Sequence, residues 1–276
     1  VGSGTGIAQI SAGTVDFGAS DAPLSPTQAA GCHDCIQIPW ALSATGVGYN
    51  VPGPGRKLRL TGPLLAGIYL GQITNWNDSS IARVNRGVHL PNLRITPVFR
   101  SDGSGDTYAF TDYLSHVSSA WQTNVGFGTS VRFPTGAPAN GNLSVTAVLQ
   151  GTPGSVAYIA VSYLIAQRLP AVAIQNAAGR YEYPNPANIE NAAAGVKHLP
   201  ANMALSIVNP SKRAKIAYPL STFTYVIAPT AAPQGPLLEA FVKYALGPGQ
   251  SFGANLDFAP LPKVVVKADK AAVNRL

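Results

Sequence analysis

Acidic residues are scarce in this chain: 12 Asp and Glu stand against 19 Lys and Arg among 276 residues, for a formal net charge of +7. Charged side chains make up only 11% of the sequence, while the hydrophobic share of 46% is ordinary for a globular protein. No apolar run reaches about 18 residues, so no transmembrane helix is expected. The opening residues carry neither a basic n-region nor an apolar h-region, so any signal peptide lies outside these residues. Gly and Pro are frequent but scattered, which suggests turns rather than disorder. The length suits one large domain or two ordinary ones.

The basic excess does not read as a nucleic-acid footprint. Its densest clusters, Lys212-Arg213-Ala214-Lys215 and Arg56-Lys57-Leu58-Arg59, are not interleaved with aromatics. They read as solvated faces that also help steer a small anion. The two cysteines form Cys32-His33-Asp34-Cys35. Four adjacent residues cannot readily close a zinc site, and the pair follows an apparent helix end rather than a strand. A small structural disulfide in an exported protein is the preferred reading, ahead of free thiols and of redox or metal work.

Periodicity alternates strands and helices. Val15–Asp21 reads as a short strand entering a polar loop, Ile36–Asn50 as a buried strand, and Ile95–Arg100 and Ser155–Ala160 as further strands. Phe223–Ile227 is strand-like, while Leu64–Leu70, Thr107–Leu114, Val145–Leu149 and Leu237–Leu246 have helical spacing. The alternation predicts an α/β fold with a mainly parallel sheet or sheets. No single interdomain linker is visible, as expected if two lobes interleave.

Two loops share one design, a small polar Ser-Gly segment opening a helix: Gly2-Ser3-Gly4 and Ser104-Gly105-Asp106. Small residues let backbone approach a ligand, and the first N–H groups of a helix form an anion site. Arg100 ends a strand four residues before Ser104, with a planar fork suited to two oxyanion oxygens. Asp102 is placed to orient it. Asp21 and Asp106 look out of place beside an anion unless the ligand brings a proton, since an ionised carboxylate only accepts. Phosphate at neutral pH keeps a proton and sulfate keeps none. Taken singly, each Ser-Gly loop is ordinary turn chemistry and each Asp an ordinary cap. Gly2-Ser3-Gly4-Thr5-Gly6 lacks dinucleotide-loop spacing, and no serine has the setting of a nucleophile elbow. His33, His89, His116 and His198 lack metal-ligand spacing and read as solvated. No catalytic residue, cofactor or metal site is assigned.

Several phrases together resemble the phosphate-binding (PstS) proteins of ABC transporters. They are Gly2-Ser3-Gly4-x-Gly6-Ile7, Asp16-Phe17-Gly18-Ala19-Ser20-Asp21-Ala22-Pro23, and Arg100-Ser101-Asp102-Gly103-Ser104-Gly105-Asp106-Thr107. Supporting phrases are Tyr69-Leu70-Gly71-Gln72-Ile73-Thr74-Asn75-Trp76, Pro153-Gly154-Ser155-Val156-Ala157-Tyr158 and Leu256-Asp257-Phe258-Ala259-Pro260. The Asp-Gly-Ser-Gly-Asp-Thr loop is most similar to mycobacterial and related actinobacterial members.

The resemblance implies a type II periplasmic-binding-protein fold of two α/β lobes on a two-strand hinge. Lobe I would comprise residues 1–49 and 222–276, and lobe II residues 50–221. It implies capture of inorganic phosphate by Ser3, Asp21, Arg100, Ser104, Gly105 and Asp106, with Asp102 orienting Arg100. Ser3, Ser104 and Gly105 would donate, and Asp21 would accept the ligand's proton. Asp106 stands where many members have threonine, and its carboxylate would accept a second proton. The implied protein is no enzyme: it is a monomer, exported to the periplasm or cell envelope and lipid-anchored at full length. It would serve the membrane permease of an ABC importer and bind no nucleic acid. A metal-independent phosphatase-like enzyme and a capture protein for another oxyanion are the alternatives. Family members carry a strand, a loop of Gly-Ala-Thr-Phe-Pro type and a helix ahead of the Gly-Ser-Gly loop. This sequence starts at that loop, implying an incomplete lobe I and weak or absent phosphate retention by these residues alone.

Overall fold

The structure, a computed structural model, describes residues 2–32, 34–53, 58–230 and 234–276. His33 and the Arg56-Lys57 part of the second basic cluster lie outside the described residues. The strands are β1 (Gly18–Ser20), β2 (Cys35–Tyr49), β3 (Arg59–Leu60), β4 (Thr96–Arg100), β5 (Ala137–Ala139), β6 (Ser155–Ala160), β7 (Ala173–Gln175), β8 (Tyr181–Glu182) and β9 (Ser221–Pro229). The helices before β6 are α1 (Ser3–Ser11), α2 (Pro26–Gly31), α3 (Gly62–Tyr69), α4 (Ser79–Val84), α5 (Gly105–Val117), α6 (Ser119–Asn124) and α7 (Gly141–Gly151). After it come α8 (Val161–Ala166), α9 (Pro186–Ala193), α10 (Gly235–Leu246) and α11 (Lys263–Val273).

A six-stranded sheet runs in the order β1-β9-β2-β6-β4-β5, and β3-β7-β8 form a small second one. The long strand β2 joins two halves. Cys35–Ala44 pair with β9, and from Thr45 to Tyr49 the strand pairs with β6 instead. Pro39 lacks an N–H for a ladder, and the register shifts between Pro39 and Ala41. The sheets are mixed rather than mainly parallel. Pairings of β4 with β5 and β6, and of β3 with β7, are parallel; all pairings of β2 and β9 are antiparallel. The expectation failed because alternating strands and helices do not fix the direction of strands that cross between lobes.

A second correction concerns Val15–Asp21. Only Gly18–Ser20 is a strand, paired to Tyr225–Ile227. Upstream, the Thr14 N–H and hydroxyl both donate to the Gln9 carbonyl and prolong the end of α1, leaving Val15 exposed. The other segments fall where their periodicity put them. Cys32 and Cys35 are joined by a disulfide just after α2. His89, His116 and His198 are exposed, as are Lys212, Arg213 and Lys215.

Behind the end of β4, Tyr158 stacks on Phe110 at 4.6 Å, with Tyr69 alongside. The Tyr158 hydroxyl accepts the Arg100 backbone N–H at 2.9 Å and bonds Thr107 Oγ1 at 2.8 Å. A strand end and a helix start are thereby fixed on one aromatic base.

Asp269 on α11 is an exception to the apolar core. It is fully buried, and neither carboxylate oxygen has a hydrogen-bond partner among the described residues. Burial pushes its pKa from 3.8 up to about 8. A folded-state pKa above the unfolded value stabilises fully below the latter; the contribution fades as pH rises and is gone above about 8. The slope is about 1.4 kcal/mol per pH unit. Asp269→Leu is therefore expected to melt higher than the parent at pH 9, with the gap narrowing steadily toward pH 5. A gap of constant size in thermal melts would refute this.

Candidate functional site

The first turn of α1 is built for close approach. Gly2 caps the helix in extended backbone, and Ser3 is its first residue, buried. Ser3 Oγ accepts the N–H groups of Asp21 and Gly105, each at 3.1 Å. The Gly4 N–H donates to the Gly103 carbonyl at 2.9 Å. The two Ser-Gly loops therefore meet directly. A Cβ on Gly4 would lie 2.8 Å from Gly103 Cα, and one on Gly105 would lie 2.5 Å from Asp21 Cβ and 2.7 Å from Ser3 Oγ.

On the other side β4 ends at Arg100, whose side chain is 3% exposed. Its Nε and Nη2 donate to the two oxygens of Asp102 at 2.7 and 2.5 Å. Nη1 donates to Asp106 Oδ2 at 3.1 Å and to Asn142 Oδ1 at 3.2 Å. Of a guanidinium's five hydrogens, one on Nη2 is then left for a ligand. Asp102 is itself held by the Gly141 N–H at 2.9 Å. Ser104 caps α5, its Oγ accepting the Asp106 N–H at 3.1 Å. Asp106 Oδ1 accepts the Thr45 hydroxyl at 2.8 Å, and Asp21 Oδ1 accepts the Thr224 hydroxyl at 2.6 Å.

The three carboxylates differ. Burial first, then the charge of Asp106, lift Asp21 to about 6, against the Thr224 hydrogen bond and Arg100. Burial also raises Asp106, opposed by Arg100, Thr45 and Asn142. Burial acts on Asp102 in the same sense, but its bonds from Arg100 and Gly141 prevail and hold it below the ordinary carboxylate range. A ligand entering here meets one permanently charged cation and two carboxyls reluctant to ionise.

Ser3, Asp21, Arg100, Ser104, Gly105 and Asp106 all line one cavity of about 370 Å³. Asp102 sits against Arg100 outside that lining. In this arrangement the Gly105 N–H, expected to face the ligand, is bonded to Ser3 Oγ, and the Asp106 N–H to Ser104 Oγ. Sequence reasoning passed over Thr45, Asn142 and Thr224. Thr45 shares β2 with Gln37 and Ser43, so its hydroxyl carried no distinguishing signal. No cluster of His, Cys, Asp or Glu among the described residues is arranged to hold a metal ion.

Comparison with known proteins gives a consistent picture. Residues 1–248 match the PBP superfamily domain. The phosphate-binding protein PstS of Xylella fastidiosa is 38% identical over 278 residues, 98% of this chain and 75% of that protein. PstS3 of Mycobacterium bovis is 34% identical over 292 residues, 100% of this chain and 77% of that one. Among solved structures, a high-affinity periplasmic phosphate-binding protein, PfluDING, has a TM-score of 0.80 at 22% identity, covering 98% of this chain and 85% of that one. A phosphate-binding protein from Stenotrophomonas maltophilia has a TM-score of 0.74 at 20% identity, with coverages of 98% and 85%. These two structural likenesses establish a shared fold.

Proposed function

This chain belongs to the PBP superfamily and, within it, to the PstS phosphate-binding proteins, and from that premise we propose that it captures inorganic phosphate between its lobes for an ABC-type importer. One observation carries the reading to these residues: Ser3 and Asp21 share a cavity with Arg100 and Ser104–Asp106. Arg100 supplies the charge, and Ser3 and Ser104 supply hydroxyl donors. Asp21, and Asp106 in part, accept the protons that phosphate keeps.

The chain divides into residues 1–49 with 222–276, and 50–221. The change of partner along β2 at Ala44/Thr45, ahead of that boundary, and the start of β9 at Ser221 support a crossing between the lobes within β2 and at the start of β9. Delivery to a permease, residence outside the cytoplasmic membrane, a lipid anchor at full length, action as a monomer and the lack of catalysis belong to the same proposal. They rest on the family. Release of labelled phosphate from a monoester without added metal would overturn the last of them.

The test is calorimetry with phosphate against sulfate at neutral pH. Sulfate offers Asp21 no proton, so a buried acceptor would face lone pairs and a like charge. A site built for a ligand's proton rejects the analogue lacking it by about 10⁴-fold. Asp21→Asn adds an amide donor for sulfate and is expected to narrow the preference by about tenfold or more. Equal binding of the two anions by the parent protein would sink the proposal.

A further inference from the structure

Asn142 is the second residue of α7, half-buried on the cavity wall, with no place in the motifs that marked the site. Its Oδ1 takes two donors, Arg100 Nη1 at 3.2 Å and the Ala160 N–H at 3.4 Å. Two donors on one atom fix which end of the amide is oxygen. The NH₂ end then belongs to the other side, where Asp106 lies. A hydrogen bond from Asn142 is one of the influences that keep the Asp106 carboxyl from rising further.

We infer that Asn142 is a positioning residue for anion capture: by accepting from Arg100 and donating toward Asp106, it sets how tightly, and in which protonation state, phosphate is held. The inference rests on the proposed phosphate function and adds a determinant to it. No other side-chain type of this size both accepts and donates without charge. Apolar replacement leaves an Arg100 hydrogen and the Ala160 N–H short of a partner. Aspartate keeps the acceptor but turns the donor into a negative oxygen beside Asp106. The charged and titratable groups around this point are Arg100 on β4, Asp102 after it, Asp106 on α5, Asp21 after β1 and Tyr158 on β6. Burial raises Asp21, to about 6, and Asp106, whereas the bonds to Asp102 hold it low, so Asp21 and Asp106 are the groups through which pH acts here.

The experiment is phosphate calorimetry from pH 5.5 to 8.5 on the parent, Asn142→Ala and Asn142→Asp, with melting temperatures taken without phosphate. Asn142→Ala is expected to bind about tenfold more weakly, with a displaced pH profile. Asn142→Asp retains both acceptor contacts and so should melt like the parent at pH 5.5, where protonation relieves the new charge beside Asp106. It is expected to bind about a hundredfold more weakly at pH 8, recovering toward parental affinity at pH 5.5 as the carboxyls take up protons. Parental affinity and profile in both variants would overturn the inference while leaving phosphate capture intact. A loss uniform across pH and matched by a fall in melting temperature would also overturn it, since that is the mark of a merely structural residue. Failure of the full-length parent to bind phosphate would instead remove the function itself.

Discussion

Arg100→Met is expected to abolish measurable phosphate binding and to lower the melting temperature at the same time. The guanidinium is almost wholly buried and spends four of its hydrogens on Asp102, Asp106 and Asn142. Removing it takes away the cation proposed to hold phosphate and leaves Asp102 and Asp106 without a counter-charge. Breaking one side of a buried ion pair costs about 3–5 kcal/mol. The sign of the pH dependence follows. Without Arg100 both carboxyls ionise less readily, so the variant's stability deficit should be greatest at neutral and alkaline pH. It should shrink as pH falls through the carboxylate range. Calorimetry for binding and thermal melts across pH measure the two effects together. A variant that melts like the parent at every pH would show that Arg100 is not the hub of this network.

Gly105→Ala is expected to separate binding from stability. Gly105 is the first residue of α5, where alanine suits the backbone better than glycine. The added methyl has no room, at 2.5 Å from Asp21 Cβ and 2.7 Å from Ser3 Oγ, and in the proposed division these belong to the opposing lobe. Overpacking of this kind costs about 1–3 kcal/mol, or about 10- to 100-fold in affinity. An open arrangement avoids the contact entirely, so the ligand-free protein should melt as before. Calorimetry showing parental phosphate affinity would mean that the two Ser-Gly loops do not have to meet for capture.

These two sites show how the sequence could be read and where reading stopped. Arg100 through Asp106 and Gly2 through Gly4 were legible because their chemistry is local. A strand end, a small polar loop and a helix start lie within a few residues, and helix-start physics says what such a loop does. Glycines there read as room for a ligand, whereas Gly4 and Gly103 make room for each other. Thr45, Thr224 and Asn142 escaped because their meaning lies across the chain. Thr45 meets Asp106 at a separation of 61 residues, and Thr224 meets Asp21 at 203. Nothing in a lone threonine on a buried strand announces a distant carboxylate. Strand positions followed from hydrophobic patterning, but strand direction did not, because direction depends on how segments cross between lobes. Asp269 was likewise invisible, since one aspartate in a lysine-rich helix looks solvated until that face is seen packed inward.

Thr45 is where β2 leaves one partner for the other. Its N–H donates to the Leu220 carbonyl at 3.0 Å, its carbonyl accepts the Tyr218 hydroxyl at 3.1 Å, and its own hydroxyl holds Asp106. The proposed crossing between the lobes and a carboxyl of the cavity wall are therefore one hydrogen bond apart. In a rigid rotation, displacement grows with distance from the axis, so atoms beside Thr45 travel little while the far rim swings widely. The mouth can gape for an incoming ion while Asp106 scarcely shifts its footing.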